Sequence, residues 1–501
     1  MVSTQYTDYG ARAMDFHTLS SLELARGIRT GRFTSVAVTE HFIARIERLN
    51  PALNAVVVFR PDKALELARQ ADQAVARGDT GLGALHGVPM TIKETWEIEG
   101  WPTTAGHEKL RDHVSPRTAP AVQRLMDAGA IVVGKTNVPE FAGDLQSYNT
   151  IYGTTANPWN PALTPGGSSG GAAVALVTGM TSLELGSDIG GSIRTPAAFC
   201  GVYGLKPTYG LVPVRGHIPG PPGALARRDI GVAGPMARHL DDLELALDEL
   251  AGPDTDMAAG WRIDLPAGDT RELSDLRVAF WLDDDYCPVQ ADVKAGLETI
   301  LSLLQARGCQ TDTRARPDSV NLPDSDQLYY HMLAGVMASE LPPAMLDKFR
   351  RAAKTDADDY RSRFARGASQ SHAQWLQHNE KRARLQANWA DFFRHHDFMI
   401  CPVANALPFP HDHSQPFTDR VLRVNGQDQP YMSITVWAGL AGIAGLPALT
   451  IPISPGENGL PRAIQVIAPA WHEKPLIQFG RLLAARIHPH GLPWPDEPDE
   501  S

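Results

Sequence analysis

Three short stretches hold residues able to do chemistry together. Residues 87–94 read GVPMTIKE, residues 166–171 read GGSSGG, and residues 187–195 read SDIGGSIRT. Consecutive glycines leave backbone N–H groups open to approach, because no Cβ stands in the way. In Gly190-Gly191-Ser192 such a nest lies beside a hydroxyl. That pairing suits acyl transfer: the hydroxyl attacks a carbonyl and the N–H groups receive the negative oxygen. The plainer alternative is a tight turn ahead of a helix. GGSSGG likewise fits a loop in which Ser168 or Ser169 caps the next helix. It does not fit a phosphate cradle, because no Gly-Lys-Ser/Thr follows.

A serine hydroxyl is a weak nucleophile and needs a base. The Gly-x-Ser-x-Gly elbow is broken by Arg194, so a Ser-His-Asp arrangement is not signalled. A lysine can serve instead if burial keeps it neutral. Lys93 ends an otherwise apolar strand-like run, although a strand-end lysine reaching solvent is the commoner local outcome. As a base, Lys93 needs its pKa lowered by about three units from the free value near 10.4. The rate then rises with pH through the lowered value. Ser168 could bridge the two, accepting a proton from Ser192 and passing it on to Lys93.

Helices and short apolar strands alternate along the chain, which predicts an α/β fold with a sheet covered by helices on both faces. Val38, Phe42, Ile46 and Leu49 recur at helical spacing, and Asn50-Pro51 predicts the end of that helix. A second helix should end at Gly78. Strands are expected at GVPMTIKE, AIVVGKTN (130–137), LRVAFWL (276–282), FMICPV (398–403) and ALTIPI (448–453). Residues 172–180 predict a buried helix directly after the glycine cluster. Residues 211–229, LVPVRGHIPGPPGALARRD, predict a Pro/Gly-rich loop beginning 19 residues past Ser192 (211 − 192), near enough to wall a pocket. There HIPGPPGAL offers rigid apolar surface with Arg215, Arg227 and Arg228 around it, and a surface loop touching nothing is the alternative. Residues 313–385 are polar, charged and helical, an inserted or peripheral layer in which Tyr329, Tyr330, Met332 and Met337 could line a pocket or simply pack. The acidic stretch near Asp254–Asp275 is the best candidate boundary, yet strands continue past it. One large domain over 1–501, with a divergent and mostly helical part at 253–395, is the expectation.

The chain has 501 residues, 43% apolar and 21% charged, with a formal net charge of −11. This argues against a nucleic-acid partner held by a basic face and leaves a local basic patch open. Its 4 cysteines are scattered without a CxxC pair, which fits a reducing compartment. The start, MVSTQYTDYGARAMDF, lacks the pattern of a signal peptide, and no run approaches the length of a membrane helix. A cytoplasmic location is expected. His395-His396 and the pair His411 and His413 lack companion ligands in sequence, so no metal and no cofactor are expected.

GGSSGGAAVALVTGMTSLELGSDIGGSIRTPAAFCGVYGLKPT resembles the signature of the amidase signature family of serine hydrolases. The two serines stand 24 residues apart (192 − 168), as in that signature. GVPMTIKE, GKTNVPEFA, NPWNP, GPMAR, GLPALTIPI and GLPRAIQVI extend the likeness over most of residues 15–252 and 396–485, and it is weakest over 253–395. The resemblance implies one large mixed sheet between helices. It implies Ser192 as nucleophile, Ser168 as bridging serine behind a cis peptide bond, and Lys93 as base. It also implies an oxyanion hole from the N–H groups of Ile189, Gly190, Gly191 and Ser192, with Asp188 and Arg194 paired to hold the loop. Ser187 stands where threonine is commoner and Glu94 where aspartate is commoner; both keep the hydrogen-bonding chemistry. The implied activity is hydrolysis of carboxylic amides, with esters and carbamates open to the same acyl-enzyme route. The implied enzyme works on a small molecule as a monomer or homodimer, without nucleic acid, membrane or metal. The competing readings are the glutaminase part of a tRNA-dependent amidotransferase complex, and a scaffold on an inactive amidase fold.

Overall fold

The apolar runs become strands of one sheet. In the computed structural model these are β1 (Val56–Phe59), β2 (Pro89–Lys93), β3 (Ile131–Thr136), β4 (Leu183–Asp188), β5 (Tyr203–Lys206), β6 (Val232–Ala237), β7 (Arg277–Phe280), β8 (Gln310–Asp312), β9 (Phe398–Pro402), β10 (Ala448–Ile453) and β11 (Arg462–Ile467). The structure describes residues 14–218, 220–254, 257–268, 271–339, 341–355, 357 and 359–496. The N-terminal stretch considered for a leader, as far as residue 13, and Pro219 of the loop 211–229 lie outside the described residues.

The eleven strands lie in the order β1-β3-β2-β4-β6-β5-β10-β11-β9-β7-β8. The sheet is mixed: β2 runs parallel to β3 and β4, while β4–β6, β6–β5 and β5–β10 are antiparallel. Strands β7 and β8 come from the part at 253–395: β7 pairs in parallel with β9, and β8 pairs in parallel with β7 at the edge of the sheet. Helices cover both faces. On one face, Met90 and Ile92 of β2 and Leu183 and Leu185 of β4 pack with Ala121, Leu243, Leu247 and Leu476 from three helices. On the other, Ile131 and Val133 of β3 pack with Ile46 and with Ala172–Val177.

Alternation along β2 therefore sends Met90 and Ile92 into one core and turns Thr91 and Lys93 the other way. Lys93 is the last residue of β2, and Ile92 stands level with Leu185 of the parallel neighbour β4. The carboxyl ends of β2 and β4 thus open into one place, where the loops after parallel strands gather.

The helix Ser35–Leu53 runs past the Asn50-Pro51 stop expected from sequence and ends at Asn54, whose left-handed φ of 51° breaks it. Proline is tolerated here because Asn50 ties the exit down. Its Oδ1 accepts from the N–H groups of Ala55 and Val56 at 2.8 Å each, offsetting the bond that proline cannot make. The helix after the glycine cluster starts at Gly170 rather than 172 and runs to Val177. Its glycines are steric necessities: a Cβ on Gly171 would run into the backbone of Asn137 and Ala55.

Candidate active site

Lys93 is fully buried, against the commoner fate of a strand-end lysine. Its Nζ lies 2.7 Å from Ser168 Oγ and 2.9 Å from Ser187 Oγ. Burial pulls its pKa down to about 7, with the carboxyls of Asp188 and Glu184 pulling the other way. Glu184, on β4, is itself buried, and desolvation pushes it up to about 8 although Thr136 Oγ1 donates to its Oε1 at 2.7 Å. Burial thus moves both groups toward their neutral forms, lowering the basicity of the amine and raising that of the carboxyl.

Ser168 follows a cis peptide bond from Gly167 and is buried. Neither Ser168 nor Ser169 caps the next helix through its side chain, although Ser169 occupies the N-cap position. Instead Ser169 N–H donates to the Ser192 carbonyl at 3.1 Å, fastening one glycine–serine cluster to the other. Ser192 is 4% exposed, and among the described residues its hydroxyl has no protein hydrogen bond. The structure therefore joins Lys93 to Ser168 directly, and it joins Ser168 to Ser192 through neighbouring backbone rather than hydroxyl to hydroxyl.

The loop 188–194 wraps around one carboxylate. Asp188 Oδ1 accepts from Gly191 N–H at 2.9 Å and from Arg194 Nη2 at 2.8 Å, while Oδ2 accepts from Ile193 N–H at 3.1 Å and Arg194 Nε at 3.0 Å. Both side chains are wholly buried. Burial alone would raise the Asp188 carboxyl, but the guanidinium overrides it and holds the group well below the usual carboxylate range. Arg194 Nη1 also donates to Ala438 O at 2.6 Å, which pins the loop to the helix Val436–Ala444. The Gly191 N–H, expected in the oxyanion hole, is thus taken by the charged carboxylate inside the turn. No acceptor among the described residues takes the N–H groups of Ile189, Gly190 and Ser192, which remain available to a negative oxygen. From the far side Tyr329 Oη donates to Ile189 O at 3.1 Å, and a Cβ on Gly190 would stand only 2.6 Å from that Oη.

This is a buried amine of lowered basicity hydrogen-bonded to Ser168 and Ser187, with Ser192 tied to the segment of Ser168 through backbone and a turn of N–H groups that no described residue takes. The arrangement is competent for proton relay and acyl transfer. The amidase family model matches residues 37–477. The chain belongs to the amidase (amidase signature) family. It is 31% identical to a glutamyl-tRNA(Gln) amidotransferase subunit of Thermosynechococcus vestitus over 497 residues, covering 94% of this chain and 98% of that one. It is equally 31% identical to indoleacetamide hydrolase of Bradyrhizobium diazoefficiens over 464 residues, covering 91% and 84%. A solved chain from a protein complex described with an s-triazine catabolic enzyme superposes with a TM-score of 0.78 at 28% identity, covering 93% of this chain and 98% of that one. A bacterial aryl acylamidase of the amidase signature enzymes shares the fold, with a TM-score of 0.79 at 23% identity and coverage of 95% and 97%. The chain is accordingly an enzyme of the amidase class.

Most other residues singled out by sequence sit apart from this cluster. His413 stacks on Tyr148 at 3.7 Å with His411 at 5.6 Å, and among the described residues no three His, Cys, Asp or Glu side chains gather as a metal site. Glu94 is buried on Thr104, whose N–H donates to it at 2.6 Å. In the loop 211–229, Pro221, Pro222 and Arg227 are exposed and Arg215 pairs with Asp254 at 3.2 Å. Tyr330 and Met332 are core residues, whereas Tyr329 reaches the site. An open groove of about 520 Å³ between Arg124, Glu249 and Trp261 shares none of the site residues.

Two residues at the site escaped the sequence reading. Glu184 carried the same signal as Lys93, a charge inside a buried strand, and the same rule would have found it. His217 carried none: it is one histidine in a Pro/Gly-rich loop, brought in by tertiary structure. Its Nε2 lies 2.8 Å from Ser187 Oγ and 2.9 Å from Thr95 Oγ1.

Proposed function

We propose that the chain hydrolyses C–N bonds of carboxylic amides through an acyl-enzyme on Ser192, with Ser168 and Lys93 as its proton relay. The observation that carries this reading is the buried Lys93 amine, 2.7 Å from Ser168 Oγ and lowered to about 7. Neutral Lys93 takes the Ser168 proton as Ser168 takes that of Ser192, and the Ser192 oxygen attacks the carbonyl. Negative charge collects on the carbonyl oxygen, facing the N–H groups of Ile189, Gly190 and Ser192. The relay then runs backward: the leaving amine receives the proton and departs, and water, deprotonated by the same route, releases the acid. Asp188 and Arg194 keep the N–H groups preorganised. A carbamate would enter by the same steps.

The peripheral layer at 253–395 belongs to this single domain and closes the site through Tyr329. Amides of arylacetic acids join aryl amides among the substrate classes to try, because a relative with the same identity as the amidotransferase relative is an indoleacetamide hydrolase. The enzyme is read as cytoplasmic and as a monomer or homodimer, needing no cofactor. Its cysteines 200, 287, 309 and 401 are buried and free, which supports that location.

The test is amine release from aryl amides and matching carbamates, comparing wild type with Ser192→Ala. Turnover should fall by on the order of 10⁶-fold, to background. Activity surviving in Ser192→Ala would reject the assignment. The second reading, part of a tRNA-dependent amidotransferase, is favoured by the 98% coverage of that relative. Silence on every amide, together with ammonia release from glutamine only beside co-purified partner chains, would establish it instead.

A further inference from the structure

His217 stands behind the proposed base. Ser187 Oγ has two hydrogen-bonding neighbours, Lys93 Nζ at 2.9 Å and His217 Nε2 at 2.8 Å. The histidine is firmly set. Ile218 N–H donates to Thr95 O at 2.8 Å and Glu97 N–H donates to Gly216 O at 2.8 Å, so the backbone on both sides of His217 is tied to the segment after β2. The ring packs edge-on against Trp96, with centroids 4.6 Å apart.

Hydrogen-bond directions in this chain are constrained. For Lys93 to accept the Ser168 proton, its lone pair must face Ser168, which leaves only N–H bonds to offer Ser187. Ser187 Oγ then accepts from Lys93, and its own hydrogen must go to its other neighbour, His217 Nε2. Nε2 is an acceptor only in the neutral tautomer that carries hydrogen on Nδ1. The opposite tautomer donates from Nε2 to Ser187 and Thr95. The Ser187 hydrogen would then turn to Lys93 and occupy the lone pair that Ser168 needs. Burial is the main influence keeping the imidazole neutral, and the groups facing the ring act in the same sense: Lys93 from β2 whenever it is protonated, and Arg228 from its own loop.

We propose that His217 is a positioning residue for the amidase reaction: neutral and protonated on Nδ1, it accepts the Ser187 hydroxyl hydrogen and thereby aims the Lys93 lone pair at Ser168. This rests on the Ser192-Ser168-Lys93 reading above. His217 has no hydrogen bond to Ser192 among the described residues and works through Ser187.

The test combines kinetics with a readout independent of turnover. His217→Phe removes the acceptor, and kcat should fall about 10- to 100-fold with KM little changed, as for a misaimed catalytic group. His217→Gln, whose side-chain oxygen can accept from Ser187, should recover most of that loss. Ser187→Ala should match His217→Phe, and the double variant should be no worse than either single one. Independent losses that multiply, a change confined to KM, or an unaltered kcat would each overturn the proposal. Thermal melting of each variant identifies a mere loss of fold, and recovery in the Gln variant excludes one. Nitrogen-15 NMR of histidine-labelled wild type, assigned by difference from His217→Gln, reads the tautomer directly. Hydrogen on Nδ1 is expected, and hydrogen on Nε2 would overturn the proposal whatever the turnover. A wild type silent on amides but carrying the Nδ1 tautomer would fail the proposed function while leaving this hydrogen-bond order intact.

Discussion

Two buried cations lie within one loop of each other and are treated in opposite ways. Arg194 has a full partner: Asp188 meets it through both oxygens, at 2.8 and 3.0 Å, and both side chains are wholly buried. Lys93 has hydroxyls at 2.7 and 2.9 Å and, among the described residues, no carboxylate in hydrogen-bond contact. The paired Arg194 side chain fixes the turn, and no acceptor among the described residues takes the N–H groups of Ile189, Gly190 and Ser192. The amine, denied a partner, is pulled down to about 7 and becomes able to exchange a proton. On the proposed reading the difference separates scaffold from chemistry: full pairing makes the Arg194 side chain structural, and withheld pairing leaves the Lys93 amine for the relay.

The contrast breaks most sharply by substitution at the two positions. Lys93→Met keeps the volume and removes the base. It should lower kcat by on the order of 10³-fold while leaving stability equal or higher, because no ion pair is lost. Asp188→Asn does the opposite kind of damage. It strands Arg194 as an uncompensated buried charge and should cost about 3–5 kcal/mol in urea unfolding. Loss of stability in Lys93→Met comparable to that in Asp188→Asn would show that the amine is structural after all.

Much of the scaffold was legible because burial leaves a strong mark. Strands β2, β3, β9 and β10 are continuous apolar runs, and each lies within a residue or two of its expected bounds. Lys93 stood out as a charge in such a run, and the glycine–serine spacing located Ser168 and Ser192. Three things were not legible. Pro51 was a poor stop signal, because Asn50 secures the helix exit by side-chain bonds that no local rule anticipates. The capture of the Gly191 N–H by Asp188 is a matter of where one carboxylate points within a turn. His217 reaches the site from a loop, separated from Lys93 by a long stretch of chain, and carries no periodic signature, whereas Tyr329 was already a candidate lining residue in the sequence.

Titration sharpens the same contrast. Below about pH 7 Lys93 is protonated and unable to accept, so kcat/KM should climb with pH, about tenfold per unit on the acid side, and level off above that value. A flat profile from about pH 5 to 9 on a substrate limited by chemistry would count against lysine as base. Stability should carry the matching sign. The folded pKa lies below the unfolded one, so between about 7 and 10.5 the unfolded chain binds the extra proton. Stability therefore gains with rising pH across that window. Lys93→Met lacks this term, so the stability difference between it and wild type should shrink from pH 7 toward pH 10.

The smallest effect is expected at Tyr329, which braces the turn without entering either kind of pairing. Tyr329→Phe removes the donor to Ile189 O at 3.1 Å and leaves the ring in its buried site. The cost should be about 1 kcal/mol of stability. Because Ile189 and Gly190 offer N–H groups to the developing oxyanion, a loosened turn should also lower kcat, by less than the loss of an oxyanion donor itself, on the order of 10-fold rather than 10². If the loss falls on KM alone, Tyr329 shapes the pocket rather than the turn. If kcat falls as far as in Lys93→Met, the N–H turn depends on the peripheral layer more than on Asp188 and Arg194, and the division between a paired scaffold and an unpaired base would have to be redrawn.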